Sequence, residues 1–180
     1  YRSNFQSRAV EEALREAKIP YRLVGGISFY DRQEIRDALS YLKVIYNTND
    51  EVSLHRIINT PRRGIGKTAL VQANTCCQEM HLPLFKVMVQ ARKYERIHKV
   101  SAFTMELFAG IINSYQQRFA NEPLGEVFKE LLDEVGYIRF LETQSGEPKV
   151  RKRRVMNVLE LLRSVQTYSE QNPEASLQHY

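Results

Sequence analysis

Between Phe5 and Lys18 the apolar or small residues Ala9, Val10, Ala13, Leu14 and Ala17 recur at helical spacing, while Glu11, Glu12, Arg15 and Glu16 fill the other face. Ile19-Pro20 ends that helix, Tyr21 to Val24 alternates like a short strand, and Gly25-Gly26 supplies a sharp turn. Beyond Gly26 the pattern turns helical and stays so. Asp31 to Asn47 places Ile35, Leu39, Leu42, Val44 and Ile45 on one face, and Asn47-Thr48-Asn49-Asp50 offers a turn and a cap for a helix over Glu51 to Ile58. Further helices are predicted over Lys67 to Met80, Pro83 to Gln90, Ile97 to Phe119, Leu124 to Val135, Tyr137 to Thr143, Arg151 to Glu170 and from Ser176 onward. Breaks fall at His81 to Pro83, Asn121 to Pro123, Gly136, Ser145 to Pro148 and Asn172-Pro173. The expected fold class is mainly α: a short α/β stub over residues 1–24 leads into an all-helical body over residues 25–180.

Composition narrows the class. The 180 residues are 43% hydrophobic and 26% charged, as in an ordinary folded globule, with a formal net charge of +5. The longest apolar stretches, such as Leu82 to Val89, are interrupted by Pro83 and Lys86, whereas a membrane span needs about 20 mostly apolar residues. The start, Tyr1-Arg2-Ser3-Asn4, has neither an initiator Met nor a signal-peptide pattern, so a piece of a longer protein is expected. Cys76 and Cys77 are adjacent, which makes no disulfide framework and favours a reducing, intracellular setting. His55, His81, His98 and His179 are scattered without ligand spacing, so no metal site is expected.

Four strings carry candidate chemistry. Pro61-Arg62-Arg63-Gly64-Ile65-Gly66-Lys67-Thr68 ends like a phosphate-binding loop, but the first glycine of G-x-x-x-x-G-K-[ST] would fall on Pro61 and a helix rather than a strand precedes it. A hairpin between two helices is the better reading. Gly64 and Gly66 allow close approach of a phosphate, the start of the Lys67 helix aims N–H groups outward, and Arg62, Arg63 and Lys67 add positive charge. Each of the three cations is expected to neutralise one phosphate, and β-branched residues at either glycine are expected to hurt as much as loss of charge. In Tyr1 to Arg8, Arg2 and Asn4 share a side at a strand end and could hold a phosphate and a base edge, although Asn4 or Ser7 could equally cap the following helix. Gly25 to Asp37 reads as a hinge at Gly25 and Gly26, followed by ion pairs from Arg32, Glu34, Arg36 and Asp37. Arg151, Lys152, Arg153 and Arg154 make a candidate basic patch, at a helix start where the dipole does not favour cations.

Taken in order, Tyr1-Arg2-Ser3-Asn4-Phe5-Gln6-Ser7-Arg8, Ile19-Pro20-Tyr21, Gly25 to Asp37 and Arg56 to Gly66 resemble the second RecA-like half of the UvrD, Rep and PcrA DNA helicases of superfamily 1. Leu131 to Leu141 and Arg154 to Leu162 resemble the same family more loosely. The resemblance implies that residues 1–24 belong to the RecA-like subdomain 2A and residues 25–180 to the helical subdomain 2B, incomplete at its C-terminal end. It implies single-stranded DNA contacts for Arg2 and Asn4, against the capping reading, and duplex backbone contacts for Arg62, Arg63, Gly64, Ile65, Gly66, Lys67 and Thr68. Relatives often carry Thr where this chain has Ala69, so the hydroxyl contact moves to Thr68 or is lost. The implied parent is a bacterial, cytoplasmic, nucleoid-associated 3′–5′ helicase using ATP and Mg, with replication or repair proteins as further partners. This chain carries no recognisable ATP-binding loop, acidic Mg motif or arginine finger, so it is expected to bind no cofactor and to be non-catalytic alone. Two rivals are a stand-alone nucleotide-binding domain using the Gly64 to Thr68 loop and a helical protein-docking module.

Overall fold

The structure is a computed structural model that describes residues 28–172, together with residues 13, 14, 19 and 177. Eight α-helices lie among the described residues: α1 (Gln33–Tyr46), α2 (Glu51–Ile57), α3 (Lys67–Met80), α4 (Leu84–Val89), α5 (Lys99–Asn121), α6 (Leu124–Glu134), α7 (Tyr137–Thr143) and α8 (Pro148–Gln171). A short 3-10 turn at Phe29–Asp31 precedes α1, another at Ala91–Lys93 joins α4 to α5, and no strand occurs among the described residues. The all-helical expectation therefore holds there. The strand over Tyr21 to Val24, and with it the α/β stub, lies outside the described residues. Of the predicted first helix, Ala13 and Leu14 are described as helical, and the Ile19 N–H donates back to the Leu14 carbonyl at 2.8 Å, at the point where Ile19-Pro20 was expected to end it.

Helix α1 is the central element, packed against α2, α5 and α8. Its environment differs from the one-faced pattern expected from sequence. Ile35, Ala38, Tyr41, Leu42, Val44 and Ile45 are buried, but so are Glu34, Asp37 and Ser40, whereas Leu39 is only partly covered. A helix enclosed on several sides must bury some of its polar positions, and these persist only when hydrogen-bonded. The Ser40 hydroxyl donates to the Arg36 carbonyl at 2.7 Å, and the carboxylates of Glu34 and Asp37 find partners on three other elements.

The stops are readable in local chemistry. Asp50 caps α2 by accepting from the Ser53 N–H at 3.0 Å and the Ser53 hydroxyl at 2.6 Å, and these bonds hold its carboxyl below the usual range. Helix α3 ends on His81 in the left-handed region, with the Leu82 N–H returning to the Cys77 carbonyl at 3.1 Å. Gly136, at φ +71°, separates α6 from α7. Helix α8 starts at Pro148, three residues ahead of expectation, because proline at the first helical position lacks only an N–H that would have had no helical partner. Gly125 lets α6 lie directly on α8: a Cβ there would sit 2.7 Å from the Cα of Gln166.

The core is mainly aliphatic, with an aromatic cluster at its centre. Tyr41 stands edge-on to Phe108 and Tyr137, with ring centroids 6.4 and 6.3 Å away. Burial of such side chains contributes about 1.5–3 kcal/mol each, and it fixes the floor beneath the segment joining α2 to α3.

Candidate nucleic-acid interface

The segment from Ile58 to Gly66 connects α2 to α3, and two residues pin it to the core. Ile65 is 1% exposed and fills the space under the loop. Arg63 turns inward: one guanidinium nitrogen donates to the carbonyls of Ile57 (2.7 Å), Pro61 (3.1 Å) and Ile58 (3.3 Å), and the other donates to the Tyr41 hydroxyl at 2.6 Å. The same group lies 4.2 Å from the centroid of Phe108, a cation–π contact. The Arg63 N–H donates to the Asn59 side-chain oxygen at 2.7 Å. Tyr41 in turn donates its hydroxyl hydrogen to the Thr60 carbonyl at 2.6 Å. Burial pushes the Tyr41 phenol up to about 12, so it is neutral and keeps its proton for Thr60 across the physiological range.

The remaining loop residues face outward. Arg62, Gly64, Gly66, Lys67 and Thr68 are exposed. Gly64 has φ +76°, and Gly66, the N-cap of α3, has φ −75° and ψ 172°. A Cβ at either glycine would meet nothing within 4 Å, so the space above both is open. Among the described residues no side chain caps α3, and no acidic residue occupies its first turn. The start of this fourteen-residue helix therefore presents its backbone N–H groups and the positive end of its dipole to solvent. Ala69 is buried, so Thr68 carries the hydroxyl that this turn can offer.

The sequence groups Arg62, Arg63 and Lys67 together as expected phosphate contacts. The structure keeps Arg62 and Lys67 at the surface and assigns the Arg63 guanidinium to four internal acceptors, because two helix-terminal carbonyls and a buried phenol lie within its reach. Ile65 likewise serves the loop from below. Nothing in the sequence marks Tyr41 for this role, since a lone tyrosine in an apolar helix pattern carries no signal of its own.

Of Arg32, Glu34, Arg36 and Asp37, expected to form ion pairs, Asp37 alone makes a salt bridge among the described residues, while Arg32 and Glu34 hydrogen-bond the neutral Asn157. Arg56 pairs with Asp37 at 3.1 Å. Burial raises the Asp37 carboxyl above its ordinary value, and Arg56 partly offsets this. Tyr137 donates to the Glu34 carbonyl at 3.1 Å and lies 3.4 Å from the second Asp37 oxygen. Asn157 accepts from Arg32 at 2.8 Å and donates to Glu34 at 2.6 Å.

The basic run at the start of α8 divides in the same way as the loop. Arg151 donates to the carbonyls of Gln144 and Gly146, and Arg154 donates to the Gln144 side-chain oxygen at 2.7 Å. Gln144 is the C-cap of α7, so these cations serve the negative end of the preceding helix rather than opposing their own dipole. Lys152 and Arg153 remain exposed. Arg2, Asn4, Gly25 and Gly26 lie outside the described residues.

The Gly64 to Thr68 loop lacks the strand-then-helix setting of a nucleotide-binding loop. The segment before the loop is helix α2 rather than a strand, and among the described residues no group of three or more His, Cys, Asp or Glu side chains could hold a metal ion. Nor is any helix there long and apolar enough to cross a membrane.

Fold and loop together define a helical module with an anion-receptive helix start framed by two exposed cations. Comparison with known proteins gives this class a family. The chain belongs to the UvrD-like helicase C-terminal domain family, which matches residues 1–179. It is 34% identical over 177 residues to DNA helicase II of Salmonella typhimurium, covering 98% of this chain and 24% of the relative. It is 36% identical over 173 residues to the ATP-dependent DNA helicase PcrA of Staphylococcus epidermidis, covering 96% and 23%. A probable DNA helicase II homolog of Rickettsia conorii is 32% identical over 169 residues, covering 94% and 26%. The chain thus spans about a quarter of the length of these relatives.

Proposed function

We propose that this chain is a DNA-binding, regulatory portion of an ATP-dependent 3′–5′ DNA helicase acting in replication or repair, and that the loop between α2 and α3 grips duplex backbone. The observation that carries the reading is the solvent-facing, uncapped start of α3, with Gly64 and Gly66 under open space and Arg62 and Lys67 exposed beside it. A phosphate oxygen there would accept backbone N–H hydrogen bonds and meet two cations, contacts that position a duplex without reading its sequence. Residues 1–24 are assigned to the RecA-like subdomain 2A, with Arg2 and Asn4 on single-stranded DNA, and residues 25–180 to subdomain 2B, turning about Gly25 and Gly26. Lys152 and Arg153 are the part of the second basic run left for nucleic acid. ATP and Mg act at the motor of the intact parent, and this chain alone is non-catalytic.

Counterion release supplies the test. Each phosphate neutralised on B-DNA adds about 0.9 to the slope of log affinity against log salt. Arg62→Ala plus Lys67→Ala should flatten the slope for a short duplex by roughly 1.8, while single-strand affinity is nearly unchanged. An unchanged duplex slope places both cations in solvent and removes the reading.

A further inference from the structure

We infer that Arg63 and Tyr41 are positioning residues for the duplex-binding loop, holding its backbone in the binding-competent shape without touching DNA. The inference rests on the reading of that loop as the duplex contact.

The geometry behind it is a chain of directed bonds. Ile57 ends α2, and its carbonyl, with those of Ile58 and Pro61, points toward a single guanidinium nitrogen of Arg63. The far side of that guanidinium meets the Tyr41 oxygen, and the Tyr41 hydrogen closes the circuit on the Thr60 carbonyl. The descending arm of the loop is therefore fixed at four carbonyls, and Asn59 holds the Arg63 amide from the same arm. Immediately after Arg63 come Gly64 and Gly66, whose turn aims the start of α3 at solvent. Phe108 on α5 supports the guanidinium face, so the anchor belongs to the rigid body of the fold.

Tyr41 is 0% exposed and cannot reach a ligand. Its only route to DNA affinity is through the loop it ties down. A cation placed inward within a basic string is also what a planar fork permits and an ammonium does not: lysine keeps the charge but cannot stack on Phe108 while reaching carbonyls and a phenol together. A phosphate contact and a positioning role therefore predict opposite outcomes for Arg63→Lys.

The experiment measures duplex and single-strand affinity of the 180-residue chain across a salt series, with unfolding midpoints, for Tyr41→Phe, Arg63→Lys and Arg62→Ala plus Lys67→Ala. Tyr41→Phe keeps the ring and removes one hydroxyl, so it stays informative even if Arg63→Lys fails to fold. Tyr41→Phe should weaken duplex binding roughly three- to tenfold, the equivalent of one or two net hydrogen bonds used to order the loop. The salt slope should stay at the wild-type value because Arg62 and Lys67 still meet phosphates once bound, and single-strand affinity should not move. Arg63→Lys should lose at least as much despite its retained charge. If the Arg62 and Lys67 double variant flattens the slope while Tyr41→Phe and Arg63→Lys bind duplex like the wild type, the positioning role is wrong and the duplex reading survives. If Tyr41→Phe weakens duplex and single strand alike, the role is overturned as a general loss of structure. If the double variant leaves the slope unchanged, the duplex reading fails first and takes this inference with it.

Discussion

The two glycines of the loop look equivalent in sequence, and the structure predicts that they fail differently. Gly64 sits at φ +76°, where an L-residue is strained by roughly 1–2 kcal/mol even though a Cβ meets nothing within 4 Å. Gly64→Ala should therefore lower stability by about that amount. Gly66 has φ −75° and ψ 172°, an extended conformation open to any residue. Gly66→Ala gains about 0.4–1 kcal/mol by restricting the unfolded chain and loses a similar amount because alanine is a poorer N-cap than glycine. Its net effect on folding should stay within about 0.5 kcal/mol. The added methyl nevertheless stands in the open space through which a phosphate must approach the α3 N–H groups. Loss of one hydrogen bond to a charged acceptor costs about 1.5–3 kcal/mol, so duplex affinity should drop roughly ten- to hundredfold. Urea denaturation and duplex-binding titrations on the same preparations measure both quantities. A Gly66→Ala chain that binds duplex like the wild type would show that no phosphate comes to this helix start, and one that unfolds early would show that the backbone argument is wrong.

Gly125→Ala should cost about 1–3 kcal/mol in urea denaturation, because the new Cβ would lie 2.2 Å from the Gln166 side-chain oxygen, which can swing away, and 2.7 Å from its Cα, which cannot; unchanged stability would mean that α6 and α8 have room to spare. Asp50→Ala should cost about 1 kcal/mol at neutral pH through loss of the α2 cap. Because the folded-state pKa of Asp50 is depressed, that contribution is full above the unfolded value near 3.8 and disappears as pH falls through the lower folded value. Wild-type and variant denaturation curves should accordingly converge in strong acid, and a difference that persists there would exclude the carboxylate as its source.

Helix existence was legible because the chain is strongly periodic and its punctuation is chemical. Lys67–Met80 and Tyr137–Thr143 are observed with their predicted limits, the first set by Gly66 before it and the His81 to Pro83 break after it, the second opened by Gly136. What periodicity could not show is how many sides of a helix are covered. Glu34 and Asp37 read as ion-pairing charges after the Gly25-Gly26 hinge, yet their partners Asn157 and Tyr137 come from helices a hundred residues or more along the chain. Only the closing of α7 and α8 over α1 makes those carboxylates interior groups. The start of α8 is settled closer at hand, where Arg151 and Arg154 donate to Gln144 at the end of α7 across one short connection.

The candidate loop carries this distinction into function. Arg62 and Arg63 are neighbours of identical chemistry, and no local rule tells them apart. Their roles separate because Tyr41 and Phe108, on two other helices, provide an acceptor and a ring face on one side of the chain alone. In the second basic run, residues 151 and 154 lie three apart and share a helix face, so they turn together toward Gln144, while 152 and 153 do not. A basic string in a folded protein is thus divided by the acceptors within its reach before any ligand arrives. The division changes the expected measurement: three loop cations on phosphates would contribute a salt slope of roughly 2.7, whereas Arg62 and Lys67 alone would contribute roughly 1.8. On the proposed reading Arg63 would act on duplex affinity through the order it imposes on the loop, a contribution that added salt would not screen in the same way, since its partners are buried carbonyls and a phenol rather than an exposed anion.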